Sequence, residues 1–179
     1  MKKGVVYFVG VLLLIVSIYS FYLSCFPIEF ESYVNESSSR WNVNPALVLA
    51  IIKAESNFDE RAVSRAEAKG VMQLMEQTAE FVAEKYNISI KGKDYLYNAK
   101  INIELGCAYL NYLFEKFDNM NIVICSYNAG EGRVLAWLNE GIITENNFKL
   151  IPFNETKTYL NKVLFNYQNY TNRLKYRLK

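Results

Sequence analysis

The chain has 179 residues, 51% of them hydrophobic, and a net charge of only +2 from 20 basic and 18 acidic side chains. This length and composition predict one folded domain with an appendage, and the low charge argues against a nucleic-acid partner. The absence of histidine excludes Ser–His and Cys–His catalytic pairs and most zinc sites, so we expect chemistry based on carboxylates, hydroxyls and amides, with no metal and no cofactor.

The N-terminal segment is an uncharged apolar stretch, residues 4–28, preceded by two lysines and followed by several glutamates. Its length is sufficient to cross a bilayer, and this distribution of charge favours an N-terminus inside the cell. We therefore interpret residues 1–28 as a single-pass anchor in the cytoplasmic membrane, with the remaining chain on the outer, cell-wall side. A cleaved signal peptide is the alternative, although no small-residue cleavage site is present. A lipoprotein-type cleavage before Cys25 is a weaker alternative.

Residues 29–40 are polar and contain three consecutive serines. This composition is typical of a short tether, although the segment could also be the first helix of the domain. The remaining residues, 41–179, carry helical patterns separated by turns rich in Gly, Asn and Asp. The later patterns lie at 76–86, 99–117, 120–129, 132–139 and 155–176. Because no segment alternates as a strand should, apart from a candidate ribbon or loop at 87–95, we predict an all-α fold.

The first strong helical signal of the domain begins at Asn44, an N-cap residue, with Pro45 in the first helical position. Ile51 and Ile52 lie on an apolar stripe, and Glu55 is the next member of that stripe. A glutamate at a helix end is more often solvated or paired with a cation. A carboxyl surrounded by hydrocarbon instead retains its proton and can act as a general acid near neutral pH. Glu55 is therefore the candidate catalytic acid of a glycosidase-type reaction.

A second carboxylate has no obvious position in the sequence. Most glycosidases need one, about 5 to 9 Å from the acid, as nucleophile or base. The candidates are Asp59, Glu60, Glu67, Glu131 and Glu155. The alternative is that the substrate supplies this group through its own N-acetyl or hydroxyl substituent.

The cysteines are too few and too scattered for a disulfide framework or a thiolate metal cluster. They are Cys25, Cys107 and Cys125. We expect buried or membrane-side thiols, with a bond between Cys107 and Cys125 as the alternative.

Four sequence blocks, taken in order, resemble the catalytic domain of the soluble lytic transglycosylases, the SLT-domain family, which has a lysozyme-like fold. The blocks are "AIIKAESNFDERAVSRAEAKGVMQLMEQTA", "NIELGCAYLNYL", "CSYNAGEGRV" and "IPFNETKTYLNKVL". They cover about residues 40 to 170, and their order makes the resemblance far more specific than any single block. The chain departs from the family pattern at Glu67, Lys69, Glu76 and Glu131, which alters turns and rim charge.

The resemblance implies a bacterial enzyme acting on peptidoglycan glycan strands. Such enzymes cleave the β-1,4 bond between N-acetylmuramic acid and N-acetylglucosamine and form a 1,6-anhydro end. One glutamate, here Glu55, would act first as acid and then as base. Substrate contacts are implied for Ser64, Met72, Gln73, Tyr127, Asn128, Glu155 and Tyr159.

Most of these residues also have a purely structural interpretation. Ser64 could cap a helix, Met72 could fill the core, Gln73 could be a surface amide, and Glu155 could stabilise a helix N-terminus. Tyr127 and Asn128 could form a buried hydrogen-bond network at a helix end. Two alternative functions also stay open. A hydrolytic muramidase would need a second carboxylate to hold a water molecule, and a peptidoglycan-binding module on the same scaffold would need no acid.

Overall fold

The computed structural model describes residues 2–144 and 147–175, and in these ranges the regular elements are helical. The α-helices are α1 (Lys2–Cys25), α2 (Glu31–Arg40), α3 (Pro45–Glu55), α4 (Glu76–Tyr86), α5 (Ala99–Lys116), α6 (Met120–Ala129), α7 (Glu131–Asn139) and α8 (Asn154–Lys175). The predicted all-α fold is confirmed, and the predicted helices are found with ends shifted by one residue at most. The candidate ribbon at 87–95 forms no strand. Residues 145, 146 and 176–179 of the predicted domain lie outside the described ranges.

Helix α3 forms the centre of the core because its sequence is apolar on nearly all sides. The seven residues from Ala46 to Ile52 are all buried, as expected for a helix without a polar face. The Asn44 side chain accepts a hydrogen bond from the Ala46 backbone amide at 2.9 Å, and Pro45 is the first helical residue. Both features agree with the predicted cap and fix where the helix begins.

Helix α8 packs along α3, and α5, α6 and α7 complete the core around them. Inside the α3–α8 contact, the buried Asn166 amide donates a hydrogen bond to the Ala50 carbonyl at 3.3 Å. Cys107 and Cys125 are buried in this core, and all three cysteines are free. The prediction of buried thiols is confirmed for these two residues, and the alternative disulfide is wrong.

Residues 29–40 include helix α2 and do not form a tether. Glu104 of α5 accepts hydrogen bonds from Ser37 Oγ, the Arg40 guanidinium and the Trp41 indole, each at 2.9 Å. Because three donors converge on one carboxylate, α2 is fixed to the surface of α5. The polar side chains that made this segment resemble a tether instead form these hydrogen bonds. The alternative interpretation, in which the segment is the first helix of the domain, therefore describes the structure.

The connection from α3 to α4, residues 56–75, is a long loop with isolated β-bridges. Asn102 of α5 is fully buried beneath it, accepts a hydrogen bond from the Met72 amide at 2.8 Å and donates to two carbonyls at 2.9 and 3.0 Å. Gly70 has a φ of 79°, and a Cβ there would lie 2.3 Å from the Asn102 amide nitrogen. Only glycine fits this close approach, and the loop is thereby held against α5.

Helix α1 is the one helix in the described ranges that is long and apolar enough to cross a membrane, with a mean hydropathy of 2.3 over Lys3–Cys25. Most of its apolar side chains are exposed. A membrane anchor and a signal sequence share these properties, so length and composition agree with both interpretations.

Candidate active site

Glu55 is the last residue of α3 and lies at a cavity of about 420 Å³. The cavity is lined by Glu55, Asn128, Asn154, Glu155, Thr158, Tyr159 and Lys162. These residues come from the C-terminal ends of α3 and α6 and from the first turns of α8. Ser56 fixes the end of α3, because its hydroxyl donates a hydrogen bond to the Val71 carbonyl of the following loop at 2.8 Å.

The Glu55 carboxyl is half-buried, and its electrostatic surroundings are mixed. Burial raises its pKa from the ordinary value of 4.5 to about 7. The nearby Tyr159 hydroxyl and Lys162 ammonium act in the opposite direction and lower this pKa, while the negative charge of Glu155 raises it. A carboxyl with a pKa near 7 is present in both forms at neutral pH, so it can both give and accept a proton.

Two tyrosines flank the acid, and they differ in their hydrogen bonds. The Tyr127 hydroxyl of α6 donates a hydrogen bond to the Met72 carbonyl at 2.9 Å. The buried Tyr159 hydroxyl has no partner within hydrogen-bond geometry among the described residues, although it lies close enough to Glu55 to lower the pKa of that carboxyl. Burial and the charge of Glu55 hold the pKa of both phenols well above the usual range. Both groups therefore remain protonated and act as hydrogen-bond donors.

The structure brings Asn128, Glu155 and Tyr159 to the same cavity as Glu55, as the resemblance implied. It also adds Lys162, which the sequence analysis missed. The Lys162 ammonium donates a hydrogen bond to the Ala54 carbonyl next to Glu55. Its position one turn after Tyr159 places it on the same face of α8, so helical spacing alone could have identified it.

Ser64 and Met72 lie in the loop after α3 and do not line this cavity. The Ser64 hydroxyl accepts hydrogen bonds from two following backbone amides, at 3.2 and 3.0 Å, and so caps a turn. The Met72 side chain has no exposed surface and packs against Gly106. The Met72 side chain therefore offers no surface to a sugar in this structure. The contribution of Met72 to the site is its carbonyl, which holds the Tyr127 hydroxyl.

Gln73 is also in the loop, in the left-handed region with a φ of 49°. Its side-chain amide nitrogen donates hydrogen bonds to the Ala62 and Gly70 carbonyls at 3.0 and 2.9 Å. These contacts fix the orientation of the amide. With its nitrogen engaged in this way, the Gln73 amide can still accept a hydrogen bond through its oxygen.

Four of the five candidate second carboxylates lie outside the cavity of Glu55. Three are exposed in the loop after α3: Asp59, Glu60 and Glu67. Glu131 begins α7, where Tyr112 donates a hydrogen bond to it at 2.9 Å and Lys116 forms an ion pair at 3.0 Å. Glu155 is the candidate that lines the cavity. Within the ranges that the structure describes, no cluster of three Asp, Glu or Cys side chains could hold a metal ion.

A family model described as "Transglycosylase SLT domain" matches residues 32–147 of this chain. The chain belongs to the SLT transglycosylase family. The matched range includes α2, the acid-bearing helix α3, the loop held by Asn102, and α6 with its tyrosine and asparagine. Helix α8, which contributes Glu155, Tyr159 and Lys162, follows the matched range.

Curated proteins similar to this SLT-family chain include a putative soluble lytic murein transglycosylase from Haemophilus influenzae. It is 36% identical over 142 residues, which are 77% of this chain and 24% of that relative. Membrane-bound lytic murein transglycosylase C from Edwardsiella ictaluri is 31% identical over 166 residues, covering 79% of this chain and 46% of the relative. The chain thus spans about a quarter of the length of the first relative and less than half of the second.

Two solved structures resemble the SLT-family fold described above. One is lytic transglycosylase Slt from Pseudomonas aeruginosa, an inactive mutant in which glutamine replaces a glutamate. Its TM-score is 0.75 at 30% identity, over 84% of this chain and 25% of that chain. The other is the 70-kDa soluble lytic transglycosylase from Escherichia coli, with a TM-score of 0.78 at 28% identity, over 88% of this chain and 26% of that chain. The fold implied by the sequence resemblance is confirmed.

Proposed function

We propose that this protein is a peptidoglycan lytic transglycosylase. It cleaves the β-1,4 bond between N-acetylmuramic acid and N-acetylglucosamine and leaves a 1,6-anhydromuramic end. The observation that carries the proposal is the Glu55 carboxyl, which has a pKa of about 7 and lines a cavity with Asn128, Glu155 and Tyr159. Membership of the SLT family and similarity to murein transglycosylases support the substrate class.

Glu55 acts twice in the proposed reaction. As an acid, it gives its proton to the glycosidic oxygen, and the bond from that oxygen to the muramic anomeric carbon breaks. The N-acetyl group of the substrate stabilises the cationic sugar. The ionised Glu55 then removes the proton of the 6-hydroxyl, whose oxygen attacks the anomeric carbon and closes the ring. Glu55 ends protonated, as it began, and no water enters.

Other side chains bind and orient the sugar around this acid. The Tyr159 hydroxyl can donate a hydrogen bond to Glu55 once the carboxyl is ionised. Asn128 offers an amide to a sugar hydroxyl, and the Gln73 oxygen offers an acceptor. Glu155 lies at the rim and orients substrate. Ser64 lies in the loop outside the cavity of Glu55, and its hydroxyl, which accepts two backbone hydrogen bonds, can still donate its own proton to an N-acetyl group that extends to the loop.

A hydrolytic muramidase is the second candidate function, because Glu155 lines the same cavity as Glu55. In that mechanism Glu155 would hold a water molecule and activate it for attack on the sugar. A non-catalytic wall-binding module has weaker support, because binding alone needs no carboxyl with a pKa near neutrality.

We also propose that residues 4–28 cross the cytoplasmic membrane once, with the domain on the cell-wall side. The length and hydropathy of α1 and the similarity to membrane-bound transglycosylase C support this topology. Cell fractionation with protease digestion of intact, wall-stripped cells tests it. Membrane-bound protein that protease degrades from outside agrees with the proposal, whereas a shortened, freely released chain shows a cleaved signal.

Mass spectrometry of digested peptidoglycan tests the reaction itself, because anhydro and reducing-end products differ by the mass of one water. We expect anhydro products from the parent and none from Glu55→Gln. Exclusive release of reducing muramic ends would contradict the transglycosylase mechanism and favour the muramidase. Absence of any product from the folded, membrane-inserted parent would favour the binding module.

A further inference from the structure

A second cavity, of about 630 Å³, lies between the end of α1 and the end of α8. It is lined by Tyr19, Tyr22, Leu23, Ile28, Asn169, Asn172 and Arg173. Tyr159 and Arg173 are separated by 14 residues of the same helix, or about 21 Å at the usual rise per residue. This cavity is therefore separate from the candidate active site, although α8 contributes to both.

Hydrogen bonds hold the two helix ends together around this cavity. The Tyr22 hydroxyl donates to the Asn169 carbonyl at 3.1 Å, and the Arg173 guanidinium donates to the Leu23 carbonyl at 3.1 Å. One turn earlier in α8, the Tyr170 hydroxyl donates to the Pro27 carbonyl at 2.9 Å. Together these three contacts pack residues 169–173 of α8 against residues 22–27 at the end of α1.

The cavity lies at the level of lipid headgroups if α1 crosses the membrane, and to this extent the inference rests on the proposed topology. A hydrocarbon core of about 30 Å accommodates about 20 helical residues. Counted from Lys3, this places Leu23 and the neighbouring cavity at the outer boundary of the hydrocarbon. Tyr19 and Tyr22 also fit this level, because tyrosine side chains concentrate at membrane–water interfaces.

Arg173 brings a positive charge to this boundary, where the negative charge of Glu29 also acts on the neighbouring Tyr170 and raises its pKa. None of the ion pairs within the described ranges involves Arg173, and its hydrogen bond to Leu23 uses a neutral carbonyl. A guanidinium has five donor hydrogens, so most of them remain available. A charge beside hydrocarbon is unfavourable unless an anion pairs with it, and the planar donor fork of arginine fits a phosphate group.

We infer that this cavity binds the phosphate of an anionic phospholipid from the outer leaflet. Arg173 donates to the phosphate oxygens, and Asn172 lines the cavity beside it. Asn169 also lines the cavity, and its amide nitrogen, which donates one hydrogen to the Phe165 carbonyl, has a second hydrogen for the polar headgroup. A further basic residue, Lys175, is exposed at the end of α8. This basic composition favours a lipid with net negative charge, such as phosphatidylglycerol, over zwitterionic phosphatidylcholine. A bound lipid would link α8, and hence the cavity of Glu55, to the membrane surface.

Native mass spectrometry of the full-length protein tests the inference. The protein is reconstituted in nanodiscs with equal amounts of phosphatidylglycerol and phosphatidylcholine, released in mild detergent, and the retained lipids are counted. We expect the parent to retain phosphatidylglycerol preferentially. Because one basic residue near a membrane surface contributes about 1 kcal/mol, Arg173→Ala should reduce that retention about fivefold.

Matched variants separate loss of the site from other effects. Arg173→Gln keeps a donor for Leu23 and loses the charge, so it should behave like Arg173→Ala, whereas Arg173→Lys should keep part of the preference. Lys91→Ala removes one positive charge from the exposed loop before α5 and should bind as the parent does. Equal retention of both lipids by the parent, or unchanged retention by Arg173→Gln, would overturn the inference.

A competition experiment distinguishes a site for lipid from a site for free inorganic phosphate. Adding inorganic phosphate at millimolar concentration should leave the retained phosphatidylglycerol unchanged, and its displacement would show a site for free phosphate instead. Fractionation of the same samples reports membrane insertion, and peptidoglycan digestion reports the reaction. The lipid inference can therefore fail while the proposed function stands, and the reverse also holds.

Discussion

Lys162 donates a hydrogen bond from its ammonium group to the carbonyl of Ala54, the residue directly before Glu55. The contact joins α8 to the end of α3 and brings a positive charge to the acid. Glu155, about two turns earlier on α8, brings a negative charge to the same cavity. These two side chains therefore act in opposite directions on the pKa of Glu55.

Lys162→Met should raise the pKa of Glu55, because it removes a positive charge that favours the ionised carboxyl. The acid form would then persist to higher pH. In the pH profile of kcat/KM for peptidoglycan lysis, we expect the alkaline limb, which lies near about pH 7 in the parent, to shift to higher pH. Rate measurements from about pH 5 to pH 9 check this. Lys157→Met, which alters an exposed lysine of the same helix, serves as the control and should leave the limb in place.

Glu155→Gln should shift the same limb to lower pH, because it removes a negative charge that raises the pKa of Glu55. The variant should retain activity at acidic pH, since Glu55 still supplies the proton. The same pH profile measures the effect. Loss of activity at every pH, in a folded protein that still binds glycan, would instead assign an essential chemical role to Glu155 and support the muramidase mechanism.

Local sequence signals predicted most of the helices but not the role of residues 29–40. Helix α3 could be predicted because its cap, its proline and its apolar residues are consecutive in the chain. Helix α2 is polar, and the group that holds it is Glu104, more than 60 residues away. Composition within the segment contains no information about that distant partner.

The candidate site shows the same division between local and distant information. Glu55 could be identified from an apolar stripe, and the grouping of Glu155 with Tyr159 follows from helical spacing. Met72 was expected in the cleft, but the direction of its side chain depends on a loop conformation that Asn102 imposes from α5. In the sequence, Asn102 is one polar residue of a helix, and nothing beside it indicates three hydrogen bonds to backbone groups outside that helix.

Asn102→Ala should destabilise the protein by about 3 kcal/mol, because it leaves buried backbone groups of the loop and its neighbours without partners. The loop would lose the contact that positions Met72, and with it the acceptor of Tyr127. Denaturant unfolding measures the change. Asn111→Ala, on a half-buried part of the same helix, is the control and should change the stability by about 0.5 kcal/mol or less. Equal effects of the two substitutions would contradict the role assigned to Asn102.

Glu55→Gln should reduce wall lysis at least about a hundredfold, because the amide retains the shape of the side chain but cannot give a proton. It should also change the pH dependence of stability. The folded pKa of about 7 exceeds the ordinary value of 4.5, so the folded parent binds more protons than the unfolded chain between these values. Its stability therefore falls as pH rises through this window, and the variant lacks this loss.

The stability advantage of Glu55→Gln over the parent should accordingly grow by about 3 kcal/mol from about pH 4 to about pH 8. Zymography measures lysis, and denaturant unfolding at the two pH values measures the stability. Glu60→Gln, an exposed neighbour in the following loop, provides the control. A constant difference between variant and parent would show that burial does not raise the pKa of Glu55.

The single-acid mechanism makes a prediction about the carboxylates outside the cavity. Asp59→Asn, Glu67→Gln and Glu131→Gln should each retain activity within about tenfold of the parent, which is a change of about 1.4 kcal/mol in the activation free energy. Asp59 and Glu67 are exposed in the loop after α3, and Glu131 is engaged by Tyr112 and Lys116. Glutamine at position 131 can still accept the Tyr112 hydrogen bond, so the fold should persist.

Lysis rates and product masses for these three variants test the prediction together. Every active variant should still release 1,6-anhydro products, because the 6-hydroxyl of the substrate remains the nucleophile. Loss of an essential nucleophile or base would reduce the rate far more than tenfold. If one of the three folded variants is inactive, a second enzyme carboxylate takes part in the reaction, and the mechanism with Glu55 as both acid and base is wrong.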